Sequence, residues 1–532
     1  MRRSTTWVGF ACWAGAALFA AGCAAPADDA DVYLDDTSQP VTLADRIARC
    51  EADPRVVAGL VSRDVCAGAG VFFEETFEGN GRTCGTCHPA ANSTTLDIDF
   101  VTALDQSNPD DPLFVFRDDP ALAALETSDL LEDAAILENV DGFIDPERRF
   151  VSRGVNHVLS LSTSIQADPG DGTTVPPAER TGWGGDGSSD GTLRGFLRDA
   201  VAQHFPRRLD REVGVDFRLP TPQEEDVALA FQLSLGRQNE LDLSRVRLHD
   251  AQAEEGRLAF MDPHRGRCNV CHNNAGANFQ DTGRNRNFDT GTRSLGSPLN
   301  VGSFEDWGLS DGGFGGRDLP RPDFDSGSGF PDAFGNGTFN TPPLIEAADT
   351  PPFFHNSLQI NSRGTRNIED AVTFYASASF KNSPAALELD QRFGAPLDLV
   401  PMDSLAIARF LRALNGAFNV DIARQRLDAA RVLVSRFANT RADVQVKLME
   451  LAREELDDAI AVMGDPNNPD PLYPAALQQL GLARAEIDQG ISAGSASERQ
   501  NRITNAIARV ATARAQFGEG ITFALGQGNL MY

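Results

Sequence analysis

The sequence predicts a mainly α-helical protein made of a duplicated unit and a C-terminal helical extension. Three observations carry this. The order helix, C-x-x-C-H, loops, helix occurs twice, around Cys84-Gly85-Thr86-Cys87-His88 and Cys268-Asn269-Val270-Cys271-His272. The segments flanking both strings carry apolar residues at helical spacing. From about Asn419 the chain turns Ala-, Leu-, Arg- and Glu-rich, with a period near 3.6 and almost no Gly over Asp421–Met463.

C-x-x-C-H is the attachment pattern of a c-type haem. Two cysteines form thioethers to the porphyrin edge, and the next residue offers an imidazole to the iron. Cys84, Cys87 and His88, with Cys268, Cys271 and His272, are therefore expected to hold two covalent haem c groups. The bland alternative for each Cys pair is a disulfide or half a zinc site, and the His that ends both strings weighs against it.

The elements follow in order. Arg2 and Arg3 precede an apolar run from Trp7 to Ala21 and then Ala20-Ala21-Gly22-Cys23. Residues 1–23 read as a lipoprotein signal peptide, with Cys23 as the lipidated residue; an ordinary signal peptide is the alternative. Residues 24–45 read as a flexible tether. The expected location is periplasmic, lipid-anchored to a bacterial membrane. Of eight cysteines, Cys12 leaves with the signal, Cys23 takes lipid and four take haem. Cys50 and Cys66 remain, and a disulfide is expected between them.

Helical spacing over 41–80 is broken at Asp53-Pro54 and Gly68, and a helical patch lies near Leu122–Leu137. Thr192 to His204 reads as a helix. Thr221-Pro222-Gln223-Glu224 opens another with a capping box, and Asp250 to Met261 leads into the second motif. Residues 281–340 are rich in Gly, Asp, Phe and Pro without period, which suits packing around a ligand. Asp403 to Leu414 reads as a short closing helix. The domains expected are 46–240, the first haem domain, 241–418, the second, and 419–532, a C-terminal helical bundle or hairpin. The extension reads as a structural appendage or as a docking module. The net charge of −29 with no basic stripe excludes nucleic acid as a natural partner and favours a basic electron donor.

Further strings lie outside the haem motifs. They are Phe339-Asn340-Thr341-Pro342-Pro343-Leu344, Thr350-Pro351-Pro352-Phe353-Phe354-His355-Asn356 and Ile368-Glu369-Asp370-Ala371-Val372-Thr373-Phe374-Tyr375. Phe288-Asp289-Thr290-Gly291 follows the second haem motif, and Gly182-Trp183-Gly184-Gly185-Asp186-Gly187 with Leu193 lies between the two. Over roughly residues 60–418 the chain resembles the bacterial di-haem cytochrome c peroxidases, the broad family that includes MauG. The resemblance implies two cytochrome-c-like haem domains packed face to face. It implies a calcium ion between them, held by the Asn156 side chain and the carbonyls of Thr350 and Pro352. It places Trp183 between the haems and His355 at their interface.

The resemblance also marks departures. No His lies between His88 and His157; the family's switch histidine would fall near Arg148. The first iron is expected to be open, unless His157 or His204 folds back onto it. Tyr375 stands where peroxidases carry Met, as in MauG-type proteins, and a phenolate would favour ferric iron; His355 and Met402 are the other ligands to weigh. The glutamate that moves a proton during O–O cleavage would fall near Gln203-His204-Phe205, so His204 is the residue left for that work. His249 and His264 are expected to be structural or exposed. The implied function is reduction of hydrogen peroxide with electrons from a small donor protein, a cytochrome c or cupredoxin. A MauG-like oxidase of a protein or organic substrate is the second reading and a non-catalytic di-haem electron carrier the third. A second copy of the chain is a candidate partner.

Overall fold

The structure, a computed structural model, describes residues 41–118, 126–139, 150–164, 193–208, 211–292, 338–357, 367–464 and 470–532. The expectations for Cys12, Cys23, Arg148 and Trp183 lie outside these residues. Residues 43–532 make one compact unit, and it is mainly helical. Helix α1 (Leu43–Ala52) stops at Asp53, whose carboxylate caps the short turn Pro54–Val57 by accepting from Arg55 N. Helix α2 (Arg63–Glu74) starts at Ser62, which accepts from Val65 N. Cys50 on α1 and Cys66 on α2 are disulfide-bonded, with Cα atoms 5.8 Å apart. Closing a loop of this length stabilises the fold by about 3 kcal/mol.

Gly68 does not break α2. The helix runs through it, and its missing Cβ lets helix α5 (Pro222–Gln232) cross at contact distance. A Cβ there would lie 1.9 Å from Val227 O and 2.8 Å from Phe231 Cβ. Between these helices come the short α3 (Cys84–Cys87) and α4 (Leu193–His204). Thr221 caps α5 with the expected capping box, and Asp250 caps α6 (Ala251–Met261), which leads into α7 (Cys268–Cys271). Helices α8 (Ile368–Phe374) and α9 (Pro384–Phe393) follow. Nothing in the sequence reading anticipated α9, although Ser383 caps it, Pro384 opens it and left-handed Gly394 ends it.

Strands are short: β1 (Ala135–Asn139), β2 (Phe150–Gly154), β3 (Arg247–Leu248), β4 (Asn287–Phe288), β5 (Phe339–Asn340) and β6 (Gly518–Glu519). The pairs β1–β2, β3–β6 and β4–β5 are antiparallel. The helix expected through Leu137 ends at Asp133. Ala134 turns left-handed (φ 52°), and Ala135–Asn139 extend to pair with β2 in the register Ala135↔Gly154.

The closing helix is the largest correction. It does not end at Leu414 but runs unbroken as α10 (Pro401–Phe437), through the boundary expected at 418/419. Within it Gly416 is a contact point, where a Cβ would lie 2.9 Å from Met463 Cγ. Helices α11 (Ala442–Met463), α12 (Pro474–Ile491) and α13 (Ala496–Arg514) complete the bundle with the second half of α10. The bundle is tied to the rest of the chain. Strand β6 pairs with β3, the Asn529 amide exchanges hydrogen bonds with the Gly236 N–H and carbonyl (2.6 and 3.2 Å), and Arg55 Nη1 donates to Leu530 O at 2.8 Å.

A cavity of about 630 Å³, counted to its mouth, lies along this seam, lined by Asp349, Asn419, Arg426, Glu455, Asp458 and Tyr532. Burial pushes the Asp349 carboxyl up to about 7 although Asn419 Nδ2 donates to it at 2.6 Å. The Glu455 and Asp458 carboxyls are raised by the same cause.

Gly68→Ala should destabilise the protein by about 1–3 kcal/mol, because the crossing backbone has no room to retreat. Gly481→Ala, on an open face of α12, should gain up to about 1 kcal/mol. Urea unfolding midpoints of the two variants check the contrast. For Asp349 the folded carboxyl binds its proton more tightly than the unfolded one. Its contribution to stability therefore falls as pH rises from near 4 to near 7 and is level above that. The stability gained by Asp349→Asn should grow over that window and then plateau, measured by urea titrations at fixed pH values.

Candidate functional site

Two cavities occupy the part of the unit that carries the C-x-x-C-H strings. The first encloses about 1260 Å³, counted to its mouth, and is lined by Cys84, Cys87 and His88. The second encloses about 1700 Å³ and is lined by Cys268, Cys271 and His272.

The two motifs fold alike. Thr83 caps α3 by a capping box with Thr86, so the one-turn helix has a fixed start. Each motif histidine donates its backbone N–H to the carbonyl of the first cysteine, His88 to Cys84 and His272 to Cys268, both at 2.9 Å. Each then leaves the helical conformation (ψ 62° and 65°). Each imidazole bonds through Nδ1 to a backbone carbonyl: His88 to Thr94 O at 2.9 Å and His272 to Pro342 O at 3.0 Å. A carbonyl can only accept, so Nδ1 carries the proton and Nε2 keeps its lone pair. Burial holds both rings neutral, lowering His88 and taking His272 down to about 4. A neutral imidazole with Nδ1 anchored and Nε2 free is the form that binds a metal.

The four motif cysteines are not disulfide-bonded, unlike Cys50 and Cys66. Burial raises their thiols, to about 11 at Cys87 and to about 12 at the other three. Among the described residues no three of His, Cys, Asp and Glu gather as ligands for one ion. Among the described residues neither pair therefore has the partners a zinc site would need. Two thiols and one oriented imidazole on the wall of a large, mostly apolar cavity do suit a covalently attached haem.

The cavities adjoin. Val155, Asn156, His157 and His355 line both. The loop carrying Asn156 and His157 is pinned to the loop that orients His88. Val158 N donates to Thr94 Oγ1 at 3.0 Å, and Thr95 Oγ1 donates to Val155 O. On the other side, β4 and β5 pair Phe288 with Phe339, and Asn285 Nδ2 donates to Thr341 O at 2.8 Å. These bonds fix the strand end whose Pro342 carbonyl receives His272. His355 stacks on the Phe339 ring, with centroids 3.6 Å apart.

The expected site residues fall as follows. Tyr375, at the end of α8, lines the second cavity, and burial beside Cys268 and Cys271 raises its hydroxyl well above the usual range. Its ring packs on Phe374 and Phe380. Met402 is 74% exposed and lines neither cavity. Asn156, Thr350 and Pro352 all line the second cavity. His204 closes α4 and lines the first, where burial and the cations of Arg82 and Arg211 take it down to about 3. His249 and His264 are exposed.

The sequence reading missed Arg82, a buried cation on the wall of the first cavity, and the carbonyls of Thr94 and Pro342. The arginine stands two residues before Cys84 and was visible as a charge beside a motif. The Pro342 carbonyl, 70 residues from His272, gave no signal. No family model fits the chain, and no curated protein or solved structure is similar to it.

Proposed function

We propose that the chain is a periplasmic di-haem c-type peroxidase that reduces hydrogen peroxide with electrons from a small donor protein. The observation that carries this is the pair of adjoining cavities, each with two thiols free of disulfides and one neutral, oriented imidazole. Cys84 and Cys87 would hold one haem and Cys268 and Cys271 the other, with His88 and His272 as iron ligands. Bound there, haem supplies a redox centre that accepts electrons singly and binds peroxide oxygen.

The chain's own residues divide the work. The first cavity, with no motif-spaced second ligand between His88 and His157, is the peroxide site, and His204 carries the proton between peroxide oxygens. Its neutral imidazole suits a base that must first accept that proton. The second cavity receives electrons, with Tyr375 as the second ligand in place of Met. His355 and His157, on both walls, offer polar groups between the sites. Trp183 is assigned the inter-haem relay on the resemblance alone. Asn156, Thr350 and Pro352 would hold a calcium ion at the second cavity, a hard cation suited to an amide and two carbonyl oxygens. The lipid at Cys23 would anchor the protein to a bacterial membrane; no helix among the described residues is long and apolar enough to cross one. The acidic surface suits a cytochrome c or cupredoxin with a basic face. A homodimer is proposed on the family resemblance.

A second reading, a MauG-like oxidase of a protein or organic substrate, is favoured by Tyr375 lining the second cavity. Peroxide added to the diferric protein separates the two. Turnover only after one-electron reduction marks the peroxidase, and a long-lived oxidised species formed at once marks the oxidase. No reaction, with no carbon monoxide bound on reduction, removes both and leaves an electron carrier.

Protein matured in a host with c-type haem assembly should carry two haems per chain by pyridine haemochrome assay. Cys84→Ser/Cys87→Ser should carry one; an unchanged count would refute the assignment. Tyr375→Phe should shift the visible and electron paramagnetic resonance spectrum of the second haem alone. An unshifted spectrum removes the tyrosine ligand.

A further inference from the structure

Arg82 is a charged side chain of the first cavity, beside Arg153 and Asp199, that neither the haem motif nor the family resemblance explains. It is fully buried (0% exposed) and lines the cavity with Cys84, Cys87 and His88. Three bonds fix its guanidinium. Nε donates to Pro112 O at 3.2 Å, and Nη2 donates to Leu113 O at 2.7 Å and to Glu126. Nη1 is buried and has no partner among the described residues. Leaving such a donor unmade costs about 1–3 kcal/mol, so the position calls for an acceptor that enters the cavity.

The same cavity holds His204. After burial, Arg82 is the strongest influence keeping that imidazole neutral. Gln203 lies beside it, but its Oε1 already accepts from Arg211 Nη2 at 3.0 Å. The wall thus presents, among its groups, the neutral His204 imidazole and a fixed Arg82 guanidinium whose Nη1 has no partner among the described residues.

We propose that Arg82 is a second catalytic group of this cavity, donating from Nη1 to the far oxygen of bound peroxide while His204 moves a proton from the near oxygen to the far one. This rests on the peroxidase reading above. When the O–O bond breaks, its electron pair goes to the far oxygen, which takes the transferred proton and leaves as water. The near oxygen becomes a second water by taking two electrons from the donor protein and two protons from solvent. Negative charge develops on the far oxygen, and a fixed cationic donor stabilises it more in a dry cavity than water could. The pairing accounts for the first cavity working without the family's glutamate: His204 supplies proton transfer and Arg82 the charge.

The test uses the di-haem protein with Arg82→Leu and Arg82→Lys. Fluoride is the anionic probe, titrated into the diferric form by visible absorption, and peroxide turnover is measured beside it. Removing one preorganised donor is expected to lower kcat by about 10²-fold, with KM moving far less, and to weaken fluoride binding at least tenfold. Arg82→Lys, which keeps the charge without the fork, should recover part of both. A variant with the wild-type unfolding midpoint, kcat and fluoride affinity overturns the assignment. Should both variants misfold, a crystal structure of the wild-type fluoride complex decides: Nη1 about 3 Å from the fluoride supports it, and a separation beyond about 4 Å removes it. A wild-type protein that neither turns over peroxide nor binds fluoride refutes the peroxidase reading itself, and Arg82 falls with it.

Discussion

Each cavity depends on one hydrogen bond, from a histidine Nδ1 to a backbone carbonyl. The bond fixes the tautomer, aims the ring and leaves Nε2 free. The carbonyl must therefore stand at a fixed place, and much of the surrounding loop structure holds it there. Thr94 is tied to the 155–158 loop through Val158 N, and Pro342 lies two residues past β5, which pairs with β4, with the intervening Thr341 carbonyl held by Asn285. The loops that orient the two imidazoles also build the shared wall between the cavities.

Close helix crossings do the remaining framing, and glycine makes them. Gly68 admits the backbone of α5 to α2, Gly256 admits the Ala406 carbonyl of α10 to α6, and Gly416 admits Met463 to α10. A glycine inside a helix costs up to about 1 kcal/mol in backbone entropy, and the gain is contact that a Cβ would forbid. The result joins the C-terminal bundle to the haem-motif region along one continuous helix, α10. The bundle also returns its last residues to pair with Leu248 and to clamp Gly236, so it is an integral wall of the unit.

Local signals in the sequence were read well where a single residue decides the geometry. Thr221 caps its helix as read, Asp53-Pro54 ends α1, and Cys50 pairs with Cys66. The errors share one cause. Gly68 was taken as a local break, and Ile136-Leu137 as helix, because local preference was weighed without the neighbours that override it. Packing chose against propensity at both. The site shows the same division. The two C-x-x-C-H strings declared themselves, His204 stood out only as a histidine near an expected glutamate, and Arg82 did not stand out.

What the sequence alone determined is the chemistry available: two pairs of cysteines, each followed by a histidine, with Tyr375 and His204 far along the chain. Those are properties of residue type and spacing, and no fold is needed to state them. Only the tertiary structure decided which groups share a cavity, which tautomer each imidazole takes and which cation keeps a free N–H. Those depend on contacts between segments such as 272 and 342, or 82 and 126, whose separation along the chain leaves no periodic trace. Hydrogen-bond direction and burial are set by three-dimensional neighbours, and a one-dimensional string does not record them.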